Sequence, residues 1–79
     1  MKKEIIGEAA GLIWETLESK NEVSISQLPK TLKMKTEIAY QALGWLARED
    51  KIEYHNRGGK TYISLSETEK AALNGVHSN

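Results

Sequence analysis

Lys30, Lys33 and Lys35 cluster just ahead of a segment of helical periodicity that opens at Thr36. The free N–H groups at a helix start attract anions, and lysines beside them strengthen the attraction. Such contacts with phosphate orient a polyanion without reading its sequence. Arg57 and Lys60 face each other across Gly58-Gly59. Like charges directly opposite in a hairpin repel mildly, and a bound anion would relieve them. On the outer face of the helical segment lie Glu37, Tyr40, Gln41, Gly44 and Arg48. Gln41 offers the donor–acceptor pair that matches adenine, and Tyr40 suits a phosphate or a thymine methyl. Arg48, near the end of the segment, is the only base on that face. Gly44 costs a helix about 1 kcal/mol against alanine. Its position implies close approach by a nucleic acid, by a second helix, or by the preceding helix of the same chain.

Other chemistries find less support. The chain has no cysteine, which excludes thiolate metal sites and thiol catalysis. His55 and His77 do not have ligand spacing. No serine stands in a nucleophile-elbow context, and Gly58-Gly59 lacks a phosphate-loop pattern. Glu4 with Glu8 and Glu15 with Glu18 are spaced for one helix face, but that face is the polar one. So short a chain is expected to leave little room for a ligand pocket of about 300 Å3 or more. Neither catalysis nor a metal or small-molecule cofactor is expected.

The elements that must carry these groups follow from periodicity. Ile5, Ile6, Ala9, Ala10, Leu12, Ile13 and Leu17 mark a helix from about Lys3 to Ser19. Val23-Ser24-Ile25 alternates like a short strand. Ser24 or Ser26 starts a second helix, with Ser24 and Gln27 at capping-box spacing and Pro29 in the first turn. It ends near Leu32. A turn at Lys33-Met34-Lys35 leads into a third helix, Thr36 to Glu49, with Ile38, Ala39, Ala42, Leu43 and Leu46 inward. The period then becomes two. A hairpin folded at Gly58-Gly59 pairs Ile52 with Leu65, Tyr54 with Ile63 and His55 with Tyr62. Ser66-Glu67-Thr68-Glu69 has capping-box spacing and opens a terminal helix that includes Leu73 and stops at Gly75. The order defines an α+β, mainly α fold: a winged helix-turn-helix with a three-helix core, a small antiparallel sheet, a hairpin wing and a short C-terminal helix. One domain spans 1–75, with a disordered tail over 76–79.

Eleven basic residues balance eleven acidic ones in a chain of 79. The charge is unevenly spread: 1–25 is acidic by two, 26–63 basic by three and 64–79 acidic by one. A domain this small is marginal by itself, and without disulfides oligomerisation is the common remedy. Gly7 and Gly11 flank Trp14 on the less polar side of the first helix. Small residues beside a large aromatic suit helix-on-helix contact, so a homodimer through Gly7, Gly11, Trp14 and Leu73 is expected. Trp14 equally suits the rim of the core, and Trp45 is assigned to that rim. No apolar run reaches the roughly 20 residues that span a bilayer, and no signal peptide is evident. The expectation is a soluble cytoplasmic protein without membrane contact.

Ala42-Leu43-Gly44-Trp45-Leu46-Ala47-Arg48-Glu49-Asp50-Lys51-Ile52 resembles the signature of a small bacterial family of stand-alone winged helix-turn-helix domains. The resemblance extends from Ile5 to about Leu65. It implies a single domain without an effector module. Kinship to the wider superfamily implies a DNA-binding, often homodimeric protein whose third helix enters the major groove while the wing touches the backbone. Double-stranded DNA is then the expected partner, contacted through Lys30, Lys33, Lys35, Thr36, Tyr40, Gln41, Arg48, Arg57 and Lys60. The alternative is an interaction module that uses the same surfaces for protein contacts. Net neutrality and Glu37 at the start of the third helix favour that alternative.

Overall fold

The structure is a computed structural model that describes residues 3–77, with side chains as far as Leu73. Helix α1 (Lys3–Lys20) buries Ala9, Ala10, Ile13 and Leu17 along one stripe. Ile5 and Leu12, expected in that stripe, are 41% and 48% exposed. At about 100° per residue they stand roughly a quarter turn from Ile13. A helix covers a narrower arc in a small core than its apolar residues span. Asn21 ends α1 in the left-handed region at φ 70°, and its N–H donates to Leu17 O at 2.9 Å.

Strand β1 (Glu22–Ser24) follows, then α2 (Leu28–Leu32) and α3 (Thr36–Arg48). The expected Ser24 capping box does not form. Ser24 closes β1 opposite Tyr62, and its hydroxyl lies 3.0 Å from that of Ser26. Gln27 occupies the α2 N-cap without a side-chain bond, and Pro29 sits in the first turn as expected. Lys33 then turns the chain at φ 53°, while Met34 N–H reaches back to Pro29 O at 3.0 Å. Asp50 does the same after α3 at φ 57°, with Lys51 N–H on Leu46 O at 2.9 Å. These six-to-one bonds close both helices in the Schellman manner.

Strands β2 (Ile52–Arg57) and β3 (Lys60–Leu65) form the hairpin in the expected register, Ile52 with Leu65 through Arg57 with Lys60. Gly58 and Gly59 have φ 57° and 79°. A two-residue type I′ turn requires positive φ at both centres, which glycine adopts without cost from a side chain. β1 joins the other edge of β3, so the antiparallel sheet runs β1-β3-β2. Val23, Ile52, Ile63 and Leu65 face Ile13, Leu17, Leu28, Leu43 and Leu46 to form the core.

Helix α4 (Glu67–His77) continues two residues past the expected stop at Gly75. Of the expected tail, Ser78 and Asn79 lie outside the described residues. Half of the Ser66 capping box forms, with Glu69 N–H on Ser66 Oγ at 3.3 Å. The reciprocal bond does not, because Ser66 N–H donates to Lys51 O at 2.9 Å. That frees the Glu69 carboxylate for a longer-range role. Among the described residues no helix is long and apolar enough to cross a membrane.

Candidate nucleic-acid interface

Burying Ala39, Ala42, Leu43 and Leu46 of α3 turns Thr36, Glu37, Tyr40, Gln41, Gly44 and Arg48 to solvent. This is the face the periodicity assigned. A Cβ added at Gly44 would meet nothing within 4 Å. Packing against α2 is therefore not what retains the glycine. Gly44→Ala is expected to stabilise the fold by about 1 kcal/mol, read as a raised denaturation midpoint. Lys30, Lys33 and Lys35 are exposed at the end of α2 and the turn before α3. Lys33 owes its position to the left-handed turn, a conformation that disfavours a β-carbon. The backbone thus fixes where the lysine stem leaves the fold.

The wing differs from expectation. Arg57 is held by Glu22 through both terminal nitrogens, Nη1 on Oε2 at 3.3 Å and Nη2 on Oε1. Its guanidinium also stacks on Tyr62, 4.6 Å from the ring centroid. The repulsion between Arg57 and Lys60 is thus countered inside the chain, and no external anion is needed for that purpose. Lys60 is the wing cation without an ion-pair partner among the described residues. His55 Nε2 lies 2.8 Å from the buried Ser64 Oγ.

Glu22 escaped the sequence reading because Arg57 lies on β2 and Glu22 on β1, two strands away. They meet only because β3 runs between them, with Glu22 opposite Ser64 and Arg57 opposite Lys60. The hydrogen bond from Arg57 holds the Glu22 carboxyl below its ordinary pKa, against a smaller opposing effect of burial. A lowered folded-state pKa contributes stability above the unfolded value and loses it as pH falls through the folded one. The wing-to-β1 link should therefore weaken in acid. Carboxyl NMR titration should give Glu22 a midpoint below its ordinary value, and Arg57→Gln should raise it.

The expected dimer residues fall into two places. Gly7, Gly11 and Trp14 line a groove between α1 and α3, of about 390 Å3, with Ala10, Leu46 and Trp45. Trp45 is 46% exposed, which overturns its assignment to the core rim. It also borders an adjoining cleft of about 450 Å3 with Lys3, Ile6 and Gly7. These volumes exceed the little room expected for a ligand-sized cavity, although both are open grooves. Trp14 is half-buried, and its indole N–H donates to Glu69 Oε1 at 2.8 Å. Lys51 Nζ lies 3.6 Å from the same oxygen. The capping box that half-failed thus tethers α4 to α1. Leu73 is elsewhere, packed on the core in a cleft with Leu17 and Leu65.

A three-helix core with a helix-turn-helix, a β1-β3-β2 sheet and a glycine-tipped hairpin defines the winged helix-turn-helix class. The chain belongs to the family described as winged helix-turn-helix domain (DUF2582), whose profile matches residues 1–76. It is 50% identical over 50 residues to the uncharacterized protein MJ1608 of Methanocaldococcus jannaschii, covering 60% of this chain and 70% of that one. Its structure resembles protein BT2368 from Bacteroides thetaiotaomicron, with TM-score 0.71 and 34% identity over 82% of this chain and 79% of that one. It also resembles the transcriptional regulator HlyU of Vibrio vulnificus CMCP6, with TM-score 0.70 and 28% identity over 90% of this chain and 74% of that one.

Proposed function

We propose that this domain is a DNA-binding transcriptional regulator that sets α3 against the major groove. Lys30, Lys33, Lys35 and Lys60 then lie on the phosphates. The observation that carries this reading is the outer face of α3, where open space at Gly44 leaves room for close approach by another backbone. Glu37, Tyr40, Gln41 and Arg48 border that space on the same face, with Thr36 at the start of the helix. The likeness to HlyU supports the regulatory part. Arg57 has a lesser role here than Lys60, since a phosphate must displace Glu22 to reach it.

Duplex DNA titrated into the protein at two salt concentrations tests the reading. Backbone contact predicts binding that falls steeply with salt. A low-salt titration that leaves the Lys33, Gly44 and Lys60 amide signals unmoved would sink it.

The groove beside Gly7 and Gly11 favours a second reading, self-association through α1 and α3 without DNA. Trp45 and the two glycines offer a protrusion and a recess on one patch, as a two-fold interface requires. Sedimentation should then show a concentration-dependent dimer. Gly11→Leu, which has open space at its Cβ position, should disperse that dimer. A single monomeric species at high concentration removes this reading.

A further inference from the structure

A polar cleft of about 350 Å3 lies between the end of α1, the β1–α2 connection and the wing. It is lined from three directions, with Lys20 from α1, Ser26 and Thr31 from the helix-turn-helix, and Lys60 from the hairpin. Residues 22, 24, 60 and 62 share the sheet face opposite the buried Val23 and Ile63, because neighbouring strand residues alternate sides. Neither Lys20 nor Lys60 has an ion-pair partner among the described residues. The one carboxylate lining the cleft, Glu22, is already held by both terminal nitrogens of Arg57. The charge balance of the cleft is therefore that of two uncompensated ammonium groups.

The remaining lining supplies donors. Ser24 and Ser26 share one hydrogen bond at 3.0 Å, which leaves the second hydroxyl proton available. Thr31 and Tyr62, which also line the cleft, each carry a hydroxyl. A cation is repelled by this set, and an apolar molecule gains little from it. A group with several acceptor oxygens, no donors and a double negative charge matches it.

We propose that this cleft is a phosphate-binding site, with Lys20 and Lys60 as its charged arms and Ser24, Ser26, Thr31 and Tyr62 as its donors. Arg57 acts indirectly by cancelling the Glu22 charge that would otherwise repel the ligand. A free phosphate ester and the backbone of a nucleic acid present the same chemistry. The site does not depend on DNA recognition by α3.

The test titrates inorganic pyrophosphate into the intact chain, followed by amide chemical shifts, with sodium chloride matched for ionic strength. Saturable shifts are expected at Lys20, Ser24, Ser26, Thr31 and Lys60. The double variant Lys20→Gln, Lys60→Gln should weaken binding by about tenfold or more. Lys33→Gln with Lys35→Gln, which removes equal charge outside the cleft, should leave it unchanged. Shifts reproduced by chloride, or equal weakening by both double variants, overturn the site. A short duplex then separates the sources. Displacement of pyrophosphate by the duplex assigns the cleft to backbone contact, and simultaneous binding assigns it to a free ester. A duplex that fails to bind at all refutes the reading of α3 and leaves the pyrophosphate result to decide the cleft.

Discussion

Joint replacement of Lys33, Lys35 and Lys60 by glutamine is expected to remove most of the salt dependence of duplex binding. Each lysine on a phosphate releases counterions, and each contact contributes about 0.9 to the slope of log affinity against log salt. Three such contacts alone weaken binding roughly 40-fold between about 50 and 200 mM salt. The triple variant should therefore bind far less tightly at low salt, and its slope should fall by roughly three. Fluorescence anisotropy of a labelled duplex reads both quantities. The double variant Arg57→Gln, Glu22→Gln is the informative comparison, because the two charges cancel each other in the ion pair. Its slope should change much less than that of Lys60→Gln. An unchanged slope in the triple variant would place the phosphate contacts elsewhere.

Ile63→Ala should be strongly destabilising. Ile63 is fully buried on the central strand, between Val23 on β1 and Tyr54 on β2. Truncating a buried isoleucine costs about 2–5 kcal/mol. Stability of about 0.05–0.15 kcal/mol per residue puts the whole domain at roughly 4–12 kcal/mol. The variant should lose a large share of that in urea denaturation. Leu12→Ala removes a larger apolar group than many core changes, yet Leu12 is about half exposed. Its effect should stay within about 0.5 kcal/mol. Equal losses in the two variants would mean that the side of α1 facing the core has been misassigned.

Much of the fold was legible because its signals are local. Glycine at both centres of a two-residue turn, between strands of period two, dictates the hairpin and its register. The α3 boundaries and its inward residues follow from a helical period maintained over four turns. Misreadings arose where two segments compete for one residue. Ser24 carries a capping signal toward Gln27, but pairing with Tyr62 on β3 takes its backbone instead. Trp45 is apolar at the edge of a stripe, and the edge residue of a stripe is covered only if a neighbour reaches it. Among the described residues no element does so fully, because α1 presents glycines there.

The candidate site divides along the same line. Taken alone, the sequence determined the winged helix-turn-helix order, the outer face of α3 and the placing of Lys33 and Lys35 in the turn before it. Those properties depend on turn chemistry and periodicity, which act over a few residues. Tertiary structure alone decided which cations are paired. Arg57 and Lys60 are alike in sequence, flanking the same two glycines. Pairing of β1 with β3 puts Glu22 within reach of Arg57 and leaves Lys60 facing the polar cleft. Charge compensation depends on distances of a few ångströms between residues remote in the chain, and only the folded sheet sets those distances.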